Sequence, residues 1–368
     1  MTLPAPRERK TTELPRWVLR ATAALSAATA RIRVIAGSTP LNLSAELARL
    51  ELAFSRGEDL GARFEYAPPV DHASLRAALE EMSAGLEVQG PLGLLHAERA
   101  RELSCDAALC ETAGRPGFWA VARRRYAARD AHDAEADALA AAWLAPRPRR
   151  ERTADDDGHS ISDDERDPRS LLVRLREELG RRRLAFSVVV NPNLASLAAT
   201  GDACVQVVAG RRLSRADVER TVLHEVVGHV APRVASSREG LGLFTIGTAS
   251  GSDDQEGRAL ALERAAGFLE EGRRRELALR HVAARSVEAS ADFTDTVRLL
   301  LEHGSPPPAA LRIAARVHRG GGLAREAVYL PALLRVEAAV RRDPSLDAVL
   351  ARGRVSVAAA PVLRELFG

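Results

Sequence analysis

The segment His224-Glu225-Val226-Val227-Gly228-His229 puts two imidazoles and a carboxylate within six residues, a set able to hold a divalent cation and move a proton beside it. Two neutral imidazoles with one carboxylate form a common zinc set in hydrolases, leaving the fourth position for a water whose pKa the metal lowers toward about 7. A neighbouring glutamate must take that water's proton, and Glu225 is the candidate. The spacing, however, is HExxxH. Residues four apart on a regular α-helix are turned by about 40° and share a face, whereas residues five apart are turned by about 140°. His224 and His229 therefore converge only if the turn between them is widened, as in a π-bulge. Gly228 sits where backbone permissiveness would ease that widening. A regular helix would leave one core histidine and one surface histidine.

The third ligand is expected from Asp253-Asp254-Gln255-Glu256-Gly257-Arg258-Ala259. Ser252 or Asp253 can cap a new helix there, with Glu256 in its first turn as the ligand. Glu263 follows seven residues later on the same face and is expected to orient one of the imidazoles. Gly240, Gly242, Gly247 and Gly251 give the chain between His229 and Glu256 room to turn back.

These residues resemble the tyrosine carboxypeptidase family of metallopeptidases, which includes the microtubule-associated tubulin carboxypeptidases and bacterial proteins marked by a QEGLA motif. The family's HExxxH is matched at His224 to His229, and its QEGLA helix at Gln255-Glu256-Gly257-Arg258-Ala259, with Glu263 at the later glutamate. Arg316-Val317-His318-Arg319-Gly320-Gly321 and Tyr329-Leu330 are similar to its RG and YL elements, and Thr39-Pro40-Leu41-Asn42 to its proline-asparagine turn. Arg258 stands where the family has leucine, and Pro331-Ala332 where a glycine-containing turn is expected.

The resemblance implies removal of a C-terminal residue, typically aromatic, from a peptide or protein, with zinc on His224, His229 and Glu256 and Glu225 as general base. Such chemistry also needs a partner for the substrate's terminal carboxylate and for the oxyanion. Arg316, Arg319 and Tyr329 are the candidates, with a structural role open for each. Arg319 could cap a helix through Gly320, and Tyr329 could be a packed aromatic. A second reading is a non-catalytic regulatory or scaffold protein that retains a structural zinc site.

The elements that must carry these residues can be read from the surrounding pattern. Ser214 is an expected helix N-cap, with Asp217 as its capping partner and Val218, Val222 and Leu223 behind it, so the histidine motif rides on a helix. The runs 184–190 and 203–208 are short and β-branched, and are expected to form a small sheet beside that helix. Residues 17–145 read as helical, residues 1–16 as a flexible tail, and 146–169, dense in Arg, Asp, Ser and Pro, as a disordered loop whose His159 is not a ligand. Residues 170–368 form the catalytic part, packed with the N-terminal helices as one unit. The expected fold is α+β, mainly helical, with the small sheet beside the bulged helix.

Composition limits the other classes. Hydrophobic residues at 46% and charged residues at 28% describe a chain that folds around a core. Fifty-three basic against 50 acidic residues leave a formal charge of only +3, and aromatics are 4%, which argues against a nucleic-acid surface. Lys10 is the single lysine, so arginine is the generic cation here. Cys105, Cys110 and Cys204 are too few and irregular for a disulfide framework and read as reduced thiols. The run from Val18 to Ala36 is broken by Arg20, Arg31 and Arg33, so no membrane span is expected. A cytoplasmic location is the default expectation.

Overall fold

Apolar side chains at three- and four-residue spacing give helices, and helices make up 66% of the structure. The computed structural model describes residues 14–127, 131–145, 158–192, 194 and 196–367. In helix Arg16–Arg31 the buried positions are Val18, Ala21, Leu25 and Ala28, a single stripe. Helix Gly90–Thr112 is instead buried on several faces, including His96 and Arg99, as expected of a central element. It pairs with helix Ala73–Glu87 across the short Val88-Gln89 connection.

The largest core joins the two halves of the chain. Leu50, Ala136 and Ala140 from the N-terminal helices share one cluster with Leu260, Leu277, Val297, Leu311 and Leu330. A separate core gathers Leu171, Leu172, Leu175 and Leu179 with Val188, Val205 and Val207 of the sheet and Val218, Val222, Val226 and Val230 of the motif helix. That second core seats the histidine motif.

The expected strands are present as β2 (Ser187–Asn191) and β4 (Cys204–Val208), which run parallel with Ser187 opposite Cys204. A third strand, β3 (Ala198–Thr200), was not legible; it pairs antiparallel with β4, giving the order β2-β4-β3. The stretch expected to be a disordered loop needs correction at its C-terminal end. Residues 146–157 lie outside the described residues, but Ser160–Ile161 (β1) pairs with Arg212–Leu213 (β5). Ser162 is fully buried and its hydroxyl donates to the Val208 carbonyl at 2.6 Å, so a few polar side chains tie this charged segment down without an apolar core. Exposed His159 lies 3.4 Å from Arg212. Of the tail expected at 1–16, residues 1–13 lie outside the described residues, and Arg16 already begins a helix. All three cysteines are free. Among the described residues, no helix is long and apolar enough to cross a membrane.

Candidate metal centre

The motif helix starts as its sequence dictates. Asp217 N–H donates to the Ser214 hydroxyl at 3.1 Å, and that hydroxyl donates to the Asp217 carboxylate at 2.7 Å. Helix Arg215–Val222 then runs directly into a π-helix, Leu223–Val230, which contains both histidines. The valine stripe at 218, 222, 226 and 230 is buried in the sheet core, so the opposite side of the widened turn carries the imidazoles.

The five-residue spacing now converges. His224 Nε2 and His229 Nε2 are 3.2 Å apart, and Glu256 Oε2 lies 3.4 Å from the first and 3.6 Å from the second. Three ligands of a tetrahedral zinc, each at about 2.0–2.1 Å, would lie about 3.3 Å from one another. The outer nitrogens are committed. His224 Nδ1 donates to Glu263 Oε1 at 2.7 Å and His229 Nδ1 to Gln255 Oε1 at 3.1 Å. With both Nδ1 atoms protonated, the two Nε2 lone pairs face each other, an arrangement that a cation between them relieves. The donor set thus fits a divalent metal ion.

Without a metal, protons take the cation's place. Burial would push the His224 imidazole down, but Glu256 and Glu263 outweigh it and hold its pKa at about 10. Burial would likewise raise Glu256, yet His229, His224 and Arg325 keep it well below the usual carboxylate range. Glu263, despite its burial, is held at about 2 by His224 and by Arg273, whose Nε lies 3.0 Å from Oε2.

The helix carrying Glu256 runs Gly251–Ala265. It begins earlier than a cap at Ser252 or Asp253 would give, because Ser250 takes a left-handed backbone (φ 58°) and its N–H is held by Glu102 at 2.8 Å. Glu256 therefore sits in the second turn. Both glycines of the two motifs are needed for close approach. A Cβ on Gly228 would lie 2.7 Å from the Ala259 Cβ, and one on Gly257 would lie 2.4 Å from the Ala332 backbone. Gly228 thus lets two helices touch, and its φ is not in the left-handed region. Ion pairs fix the rotation of the second helix: Asp253 with Arg125 at 3.3 Å, Asp254 with Arg335, and Arg258 with Asp347 at 2.7 Å. The arginine in place of leucine is spent on that last pair. Pro331 lies in the first turn of helix Tyr329–Arg342, where a missing N–H breaks no helical bond.

Glu225 is buried, and its Oε2 accepts from the Thr200 hydroxyl of β3 at 2.7 Å. The residues Arg316, Arg319 and Tyr329 form a second group. Arg316 bonds to Glu326, Arg319 Nη2 lies 4.0 Å from the same carboxylate, and Arg280 lies 3.8 Å from it while covering the Tyr329 ring at 4.5 Å. The cation beside the metal donors is Arg325, 3.6 Å from Glu256 Oε1. Sequence reasoning missed Thr200, Gln255, Arg273, Arg280, Arg325 and Glu326. Gln255, Arg325 and Glu326 had a signal, since each lies next to or between the motif elements; Thr200, Arg273 and Arg280 are brought in only by tertiary packing.

No curated protein and no solved structure matches the chain. The family model described as microtubule-associated tyrosine carboxypeptidase matches residues 56–368, which takes in the π-helical histidine motif, the Glu256 helix and the arginine group. On that match, the chain belongs to the microtubule-associated tyrosine carboxypeptidase family.

Proposed function

We propose that the chain is a zinc-dependent carboxypeptidase that releases an aromatic, tyrosine-like residue from the C-terminus of a peptide or protein. The observation that carries the reading is the approach of His224 Nε2 and His229 Nε2 on a π-turn, and of Glu256 Oε2 from the next helix, to within 3.2–3.6 Å of one another. Zinc held there supplies a Lewis acid and an acidified water. Glu225 accepts the proton from the attacking water on the oxygen that Thr200 leaves free, then returns it to the departing amine. Glu263 and Gln255 keep both imidazoles in the tautomer that presents Nε2 inward.

The substrate's terminal carboxylate is taken up by the arginine group. Arg280, Arg316 and Arg319 gather around Glu326, with Glu276 also 3.7 Å from Arg280, and the buried Nε atoms of Arg280 and Arg319 and Oε2 of Glu326 have no hydrogen-bond partner. Burial and the neighbouring arginines push Arg319 down to about 10, which an incoming carboxylate would reverse. Tyr329 lies against Arg280 and borders the same group.

Among the described residues the candidate donor group has three members, which supports an open fourth position over a closed structural site. The test is a library of C-terminal peptides incubated with the protein and with Glu225→Gln side by side and read by mass spectrometry, with metal content measured on both. Release of one C-terminal residue by the first and not the second is expected. Stoichiometric metal with no release from any peptide would instead favour the non-catalytic reading.

A further inference from the structure

We infer that Arg325 is a positioning residue of the metal centre, holding Glu256 to ligation through one oxygen. The inference rests on the metal reading above. The two carboxylate oxygens of Glu256 face different partners: Oε2 lies 3.4 and 3.6 Å from the imidazole nitrogens, and Oε1 lies 3.6 Å from Arg325 Nη2. A carboxylate free to turn can offer both oxygens to a metal, and the second would take the position that water needs. A guanidinium at Oε1 competes for that oxygen and keeps the position free.

The chain goes to some length to place this side chain. Arg319 is extended (ψ 147°), Gly320, Gly321 and Gly322 have φ of 72°, 108° and 111°, and Ala324 has φ 49° immediately before Arg325. A left-handed alanine is strained and persists where its surroundings fix it. Here the Ala324 N–H is held by the Val317 carbonyl at 3.0 Å, the Gly320 N–H by the Tyr66 hydroxyl at 2.9 Å, and the Gly320 carbonyl by the Gly114 N–H at 2.8 Å. The Arg325 side chain is four-fifths buried, and the carboxylates of Glu256 and Asp253 offset that burial while Arg316 and Arg319 repel it.

The test uses the full chain stripped of metal. Zinc affinity is measured against a competing chelator, and cobalt(II) is added separately while the visible spectrum is recorded, since band intensity falls as coordination rises above four. Arg325→Met should give weaker cobalt bands and bind zinc about ten-fold more tightly, because a second oxygen joins the metal and a neighbouring positive charge is lost, and Arg325→Lys should restore most of the wild-type affinity and spectrum. Arg325→Gln, polar and of similar reach, is read by the same criteria, so the outcome does not hang on one variant folding. Wild-type affinity and spectrum in the methionine or glutamine variant would overturn the inference and leave the metal reading standing. Unchanged cobalt bands with a raised KM confined to peptides bearing a free terminal carboxylate would overturn it in favour of substrate binding. Failure of the unaltered chain to take up either ion would overturn the metal reading and this inference with it.

Discussion

At the metal centre three acceptor atoms 3.2–3.6 Å apart face one another, whereas a short way along the chain three guanidiniums face the carboxylate of Glu326, with Glu276 beside Arg280 alone. Both groups are largely buried, and buried polar groups are normally satisfied within the protein. One group is left with surplus acceptors, the other with three unpartnered guanidinium nitrogens against one unpartnered carboxylate oxygen. On the proposed reading each surplus is met from outside, by a cation in the first and by the substrate's carboxylate in the second. Arg325 stands between them, 3.6 Å from Glu256 and close enough to Arg316 and Arg319 to repel them.

The largest expected effect falls on Glu225, the proposed general base, which belongs to neither surplus. Glu225→Gln should lower kcat by about 10²–10⁴-fold with zinc content unchanged, measured on whichever peptide the library identifies. Loss of the metal along with activity would mean that Glu225 holds the site together, and would blur the line between ligand and base.

Glu326 is the corresponding pivot of the arginine group, and here stability should move first. Glu326→Gln leaves Arg316 and Arg319 without their carboxylate and Arg280 with Glu276 alone, a loss of about 3–5 kcal/mol by chemical denaturation. Burial would raise Glu326, but Arg316, Arg319 and Arg280 hold it at about 2. Its folded pKa is depressed, so its contribution is present above the unfolded value near 4.5 and fades as pH falls toward 2. The variant should therefore lose most at neutral pH and close the gap with the wild type in acid. A constant difference across that range would show that the three arginines do not depend on this carboxylate.

The two groups also differ in how far the sequence disclosed them. His224, Glu225 and His229 lie on one continuous helix, where spacing converts directly into direction; the five-residue interval by itself demanded the wide turn that Leu223–Val230 provides. Glu256 and Glu263 follow the same logic on a second helix. Thr200 could not be found that way, because it reaches Glu225 only after β3 pairs with β4. Glu326 and Arg280 meet across 46 residues of chain, from a short 3₁₀ turn and a long helix, with no periodicity linking them. The ordered segment 158–169 escaped for a related reason: its fixing contacts are single polar side chains such as Ser162, which composition reads as solvated.

The contact between the motif helices offers a finer probe of the first group. A methyl on Gly228 would meet the Ala259 methyl at 2.7 Å, so Gly228→Ala should cost about 1–3 kcal/mol by pushing the helix of Glu256 away from the imidazoles. Ala259→Gly in the same chain should restore most of that stability, together with zinc affinity. If stability returns and affinity does not, the glycine matters to the shape of the π-turn as well as to the distance between helices.

The smallest effect contrasts two histidines. Carboxylates lift His224 to about 10, while burial lowers His318, one residue from Arg319, to about 4, with Asp292 only partly opposing the shift. His318 Nε2 lies 2.8 Å from the Thr296 hydroxyl and its ring lies 5.7 Å from Phe293, so nothing near it replaces the charge-stabilising partners that His224 has. Between pH 6.5 and 4 the unfolded chain binds a proton that the folded chain refuses. Stability from this group is therefore complete above about 6.5 and drains away as pH falls to 4. Glutamine can keep the bond to Thr296 without titrating, so His318→Gln should flatten this part of the melting-temperature profile by the equivalent of about 1–2 kcal/mol, less than the full shift because the ring is partly exposed. An unchanged profile would mean that His318 is protonated in the folded protein at pH 5, and that the arginine side of the molecule tolerates one more positive charge than its crowded guanidiniums imply.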